Sequence, residues 1–184
     1  MTEVSPEKRL NLLGMPRKKM EAFFAEIGEK PFRAKQVMQW IHQYGVSDFD
    51  EMTNISKSLR AKLQEICEIV PPEIIYQNIS SDGTRKWAMK MPGGSAIETV
   101  LIPEGNRGTL CVSSQIGCAL DCSFCSTGKQ GFNRNLSSEE IVGQIFNAIA
   151  SFEDIDRTKD RPVTNVVFMG MGEPLMNYNN VLKA

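Results

Sequence analysis

Cys118, Cys122 and Cys125 form a C-x3-C-x2-C run, and no fourth cysteine follows within reach. A ferredoxin-type site uses four thiolates and closes every iron to other ligands. Three closely spaced thiolates can hold three irons of a 4Fe–4S cube and leave the fourth open. An open iron can bind a small molecule and pass it an electron. Zinc also takes cysteines at short spacings, but a structural zinc site asks for four ligands, commonly as two separated pairs. The fourth would have to be His42, Cys67 or Cys111, and none of these sits in a second knuckle. A disulfide framework does not suit five cysteines in 184 residues when the first residues, Met1 to Ser5, show no basic-then-apolar leader. A second run with chemical content is Gly170-Met171-Gly172-Glu173-Pro174. Its glycines let backbone approach a ligand closely, and a carboxylate at a strand end can accept from an ammonium group. Taken alone, the run is also what an ordinary strand-to-helix turn contains.

These residues need a scaffold, and the composition supplies an ordinary one. The hydrophobic fraction is 41% and the charged fraction 23%, which suits a soluble globular chain with a buried core. No run of eighteen apolar residues exists to span a membrane. Reduced thiols fit the cytoplasm. The net charge of −1 gives no global electrostatic argument for nucleic acid, so any RNA-binding reading must come from elsewhere.

Periodicity predicts three helices first, over 16–27, 33–44 and about 56–66. Their apolar stripes are Met20, Phe23, Phe24 and Ile27, then Val37, Met38, Trp40, Ile41 and Tyr44, then Leu59, Leu63 and Ile66. Gly28 and Gly45 close the first two, and Pro71-Pro72 stops the chain after the third. Arg17, Lys18, Lys19, Lys30, Arg33 and Lys35 lie on polar sides or between helices, either as a solvated face or as RNA contacts. His42 and the methionines read as ordinary, and Cys67 reads as core. Strand-prone runs over 73–80, 84–91 and 95–102, joined by Asp82-Gly83 and Pro92-Gly93-Gly94, predict an antiparallel meander. From Thr109 the pattern is strand, cysteine loop, helix, strand. Ser137-Ser138-Glu139-Glu140 is a capping box opening a helix striped with Ile141, Ile145, Ile149 and Phe152. A buried-type strand over 165–169 leads into the glycine run. The fold class is therefore α+β followed by α/β: a helical module over 1–70, a small meander over 71–104, and over 105–184 the first part of a (β/α) barrel. Two parallel strands cannot bury both faces of such a sheet, so the barrel is expected to be truncated.

The cysteine spacing resembles the radical S-adenosylmethionine superfamily. The resemblance becomes closer along Cys111-Val-Ser-Ser-Gln-Ile-Gly-Cys118-Ala-Leu-Asp-Cys122-Ser-Phe-Cys125-Ser-Thr-Gly128 and Gln130-Gly-Phe-Asn-Arg-Asn135. With Gly28 to Ala34, Phe49 to Thr53, Ser81 to Thr84 and Met169 to Pro174, these stretches are similar to the bacterial adenine-C2 RNA methyltransferases over nearly the whole chain. The resemblance implies a 4Fe–4S cluster on Cys118, Cys122 and Cys125. It also implies S-adenosylmethionine on the open iron, with its amino group held by Gly172 and Glu173, and reductive cleavage to a 5′-deoxyadenosyl radical. It implies 23S ribosomal RNA, certain transfer RNAs and a flavodoxin-type electron donor as partners, and a monomer. The related adenine-C8 methyltransferases are the alternative, and a non-enzymatic zinc or iron–sulfur module is the alternative outside enzymes.

That family uses two cysteines beyond the cluster. One carries a methyl group that adds to the adenine, and the other takes a proton to release the protein–RNA adduct. Cys111 matches the second. Strand parity sets Leu110 and Val112 on one side and Thr109, Cys111 and Ser113 on the other, which turns Cys111 toward the barrel interior; a small buried core cysteine is the plain alternative. The methyl carrier has no counterpart in this sequence, so the chain by itself is expected to be inactive. Glu98 matches a glutamate that the family uses as a proton acceptor, the alternative being a solvated strand carboxylate.

Overall fold

The computed structural model describes residues 9–153, 155–156 and 159–184; the reading of Met1 to Ser5 lies outside them. The first helices form where the stripes place them: α1 Arg17–Glu26, α2 Phe32–His42 and α3 Lys57–Ile66. The Ser56 hydroxyl caps α3 by accepting from Leu59 N–H. Met20 and Phe24, then Ala34, Val37 and Ile41, then Leu59 and Leu63 meet in one core with Leu12, Leu13 and Cys67. Ile66, expected on the third stripe, is 37% exposed because it closes the last turn of α3, where the chain leaves for a strand. Two short strands escaped the sequence reading. Leu10–Asn11 (β1) pairs in parallel with Cys67–Glu68 (β2), so the segment before α1 is tied to the one after α3.

The meander follows as β3 Glu73–Ile79, β4 Arg85–Lys90 and β5 Ala96–Glu104. It is not a separate sheet. Strand β6, Arg107–Cys111, pairs antiparallel with β5, so one five-stranded sheet runs β3-β4-β5-β6-β9, where β9 is Asn165–Val167 and lies parallel to β6. The sheet thus passes straight through the division expected at 104/105. Between β6 and β9 the chain makes a small hairpin, β7 Gln115–Gly117 against β8 Phe132–Asn135, and then α4, Ser138–Ala150. The last helix is α5, Tyr178–Lys183, after a single 3-10 turn over Pro174–Asn177.

Helix α4 is what joins the two halves. Ile141 and Ala148 enter the core against the sheet, with Trp87, Ile97, Leu101, Leu110 and Val112. Val142 and Phe146, on its other flank, pack on the helical module. The capping box is formed: Ser137 Oγ accepts from Glu140 N–H, and Glu140 Oε2 accepts from Ser137 N–H at 2.9 Å. Glu140 also takes a two-pronged ion pair from Arg134, with both contacts at 2.8 Å. Strand β9 departs from expectation. It is three residues long, and Val166 and Met169 are 40% and 80% exposed. The strand lies at the sheet edge, and among the described residues nothing pairs with its outer side.

Candidate functional site

The three cysteines sit on one loop, and hairpin β7–β8 draws its two ends together. Cys118 N–H donates to Gly131 C=O at 3.1 Å, and Cys125 N–H donates to Cys122 C=O at 2.9 Å. Gly117 makes this closure possible: its φ is +72°, and a Cβ there would run into the Gly131 carbonyl. Asp121, inside the loop, is the one non-glycine residue with positive φ among the described residues, at 40°. All three cysteines are half-buried with free thiols. Hydrogen bonds from the Gly128 backbone, with help from Thr127, hold the Cys125 thiol below its ordinary range against a smaller upward push from burial. Among the described residues no three His, Cys, Asp or Glu side chains converge on a single ion position. A cube places each thiolate on its own iron, so one loop carrying three separate soft donors fits that group.

Gly170 to Pro174 is hydrogen-bonded onto the strand that feeds this loop. Ser114 N–H and Gln115 N–H both donate to Met171 C=O, at 2.8 and 3.1 Å, and Gly170 N–H donates to Val112 C=O. Gly172 has φ +93°, and a Cβ on it would lie 2.4 Å from Gln115 Cβ. Only glycine fits there. Glu173 is half-buried, and its carboxylate accepts from Leu175 N–H at 3.0 Å, capping the 3-10 turn. The cysteine loop and the glycine run therefore meet at the C-terminal ends of two adjacent parallel strands, β6 and β9, where α/β folds bind ligands.

Behind them lies a buried polar brace that the sequence reading missed. Gln144, fully buried on α4, accepts from Thr99 Oγ1 and Ser113 N–H, both at 2.8 Å, and donates to Ser113 C=O at 2.9 Å. Ser113 Oγ donates to Glu98 C=O at 2.7 Å and accepts from Met171 N–H at 2.9 Å. Asn177 donates to Ser114 C=O and Leu136 C=O, both at 2.7 Å. A buried amide at a polar position of an otherwise apolar helix face was the available signal.

Cys111 is half-buried at the end of β6, while its neighbours Leu110 and Val112 are fully buried in the core. Burial pushes its thiol upward in pKa, partly offset by a hydrogen bond from the Met169 backbone. Glu98 lies on the same sheet face, exposed, with its Oε1 2.7 Å from Lys86 Nζ. Cys67 is fully buried in the helical core, and desolvation raises its thiol to about 12. Of the basic residues on the first helices, Arg17 pairs with Glu21 at 2.7 Å and Arg33 lies over the Phe32 ring; Lys18, Lys19, Lys30 and Lys35 are exposed. No helix among the described residues is long and apolar enough to cross a membrane.

The sequence pattern of the family described as the ribosomal RNA large subunit methyltransferase N-terminal domain matches residues 10–69. The chain is 63% identical over 177 residues to the dual-specificity RNA methyltransferase RlmN of Marinobacter nauticus, covering 96% of this chain and 48% of that protein. It is 61% identical to the protein of the same name from Marinomonas sp. over 186 residues, with 100% and 49% covered. A crystal structure of a radical SAM methyltransferase from Sphaerobacter thermophilus superposes with a TM-score of 0.82 at 36% identity, covering 95% of this chain and 50% of the other. The chain spans about half the length of the curated relatives it matches.

Proposed function

We propose that this chain, which belongs to the RlmN family, carries the cluster and cofactor machinery of an RNA methyltransferase. Its product would be adenosine methylated at carbon 2 in 23S ribosomal RNA and in certain transfer RNAs. Cys118, Cys122 and Cys125 would hold a 4Fe–4S cluster, and Gly172 and Glu173 the amino group of S-adenosylmethionine. With both bound, the site would supply one-electron reductive cleavage of the cofactor, the electron coming from a flavodoxin-type donor.

The chain's own residues do the rest. Gly172 lets the turn close directly against Gln115, whose side-chain oxygen accepts from Glu173 N–H and so fixes the backbone that carries the Glu173 carboxylate. Cys111, on the open face of the sheet, would take a proton at Sγ in its thiolate form, and burial, which favours the neutral thiol, makes that sulfur a stronger base. Taking a proton from the RNA in this way fits the release of a protein–RNA adduct. Glu98 shares the face and offers a carboxylate base. The exposed lysines of α1 and α2 supply positive charge for folded RNA, whose shape and unstacked bases carry recognition. The setting is a cytoplasmic monomer. The methyl-carrying cysteine is not among the five in these 184 residues, since Cys67 is sealed in the helical core.

The observation that supports this reading most is the hydrogen-bonded seam between the cysteine loop's strand and Gly170 to Pro174. Mass spectrometry of nucleosides tests it. RNA incubated with cofactor, reductant and a form extended to the length of the relatives should yield 2-methyladenosine. The 184-residue chain alone should yield none. Turnover by the short chain would contradict the two-cysteine scheme, and 8-methyladenosine as the main product would move the protein to the C8 subfamily.

A further inference from the structure

Gln115 is 1% exposed and lies three residues before the first cluster cysteine. Its side chain faces two ways. Oε1 accepts from Glu173 N–H at 2.9 Å, while Nε2 donates to Asn135 Oδ1 at 2.8 Å on the returning strand of the cysteine hairpin. Its backbone N–H meets Met171 C=O at 3.1 Å, and its Cβ occupies the space that a side chain on Gly172 would need. One buried amide thus fixes Glu173 N–H relative to both strands that close the cysteine loop. A glutamine suits this place, because it must accept on one side and donate on the other.

Resting on the reading that Glu173 receives the cofactor's amino group, we propose that Gln115 is a positioning residue. It keys the cofactor turn to the cluster hairpin, so that S-adenosylmethionine reaches the open iron with Glu173 in place. The bond to Asn135 makes the setting depend on hairpin closure, so the geometry of the cofactor turn follows that of the cluster loop. Asn135 needs only an acceptor oxygen for this, which an aspartate retains.

The test uses anaerobically reconstituted protein and two readouts besides turnover: iron and sulfide content, and the change in the electron paramagnetic resonance signal of the reduced cluster on adding S-adenosylmethionine. Gln115→Leu should keep its cluster while cofactor affinity falls at least about tenfold, as expected for the loss of a buried hydrogen bond. Saturating cofactor should then restore the spectral change. Asn135→Leu should weaken affinity about threefold or more, the loss of a more exposed bond, and Asn135→Asp should bind like the parent. Parent-like affinity in Gln115→Leu would overturn the proposal. If that variant loses its cluster through misfolding, the Asn135 pair decides: equal affinity in Asn135→Leu and Asn135→Asp overturns it. Failure of the underlying reading looks different, because then Glu173→Ala would bind the cofactor as well as the parent does.

Discussion

Cys111 and Glu98 share one face of the five-stranded sheet: Cys111 pairs in register with Val100, two residues along β5 from Glu98. Directly opposed residues project to the same side, as do residues two apart on one strand. The opposite face is packed under α4 by Ile97, Leu101 and Leu110. The two groups with proton chemistry therefore look out from the open side, which a barrel would enclose.

In a form extended to the relatives' length, Cys111→Ala should keep cluster and cofactor binding but accumulate a covalent protein–RNA adduct. Denaturing electrophoresis with labelled RNA would reveal it. Glu98→Gln should lower the methylation rate about a hundredfold, in the range of a lost proton-transfer group, with cofactor affinity intact.

Gly172→Ala should lower S-adenosylmethionine affinity more than tenfold, measured by calorimetry on reconstituted protein. The motive is a φ of +93° combined with a 2.4 Å approach to Gln115 Cβ, a conformation costing about 1–3 kcal/mol for a residue with a side chain before any clash. Unchanged affinity would return the run to the status of a plain turn.

Gln144→Leu should destabilise the fold by about 3 kcal/mol, because it strands the Thr99 hydroxyl and the Ser113 N–H and C=O without partners in the core. Chemical denaturation checks this; a loss below about 1 kcal/mol would show that the brace is dispensable.

Burial drives the Glu140 carboxyl upward, but hydrogen bonds from Arg134 and Ser137 together outweigh it, and the group stays below its ordinary range. A depressed folded pKa means the unfolded chain binds the proton more readily. The contribution is fully present above the unfolded value of about 4.3 and is lost as pH falls below it. The stability difference between the parent and Glu140→Gln should therefore shrink on acidification from about pH 6 to pH 3, as read by thermal unfolding. A constant difference would contradict the assignment.

Much of the framework was legible in local patterns. The stripes of α1 to α3, the Asp82-Gly83 turn and the Ser137–Glu140 box depend on neighbours in sequence, so spacing exposes them. What stayed hidden depends on distant partners. Strands β1 and β2 are two residues each and exist only through pairing across the helical module. Hairpin β7–β8 has little strand propensity, with Asn133, Arg134 and Asn135 on one side, and is set by closure at Gly117 and Gly131. The continuity of meander and barrel sheet could not be read either, because it rests on β5 running on to Glu104 to pair with Arg107. Among site residues, cysteine spacing and the glycine run declared themselves by type. Gln115 and Gln144 did not, since a glutamine gains its role only from what surrounds it.

The central claim is that three thiolates on one loop hold a cluster whose open iron takes S-adenosylmethionine beside Glu173. Anaerobic reconstitution followed by iron and sulfide analysis and resonance spectroscopy of the reduced protein tests it most directly. The parent and Cys67→Ala should each carry about four irons and four sulfides per chain. Their reduced signal should change when cofactor is added, and the Cys118, Cys122 and Cys125 alanine variants should lose the cluster. A full cluster in Cys122→Ala, or a colourless parent that binds zinc in its place, would contradict the account.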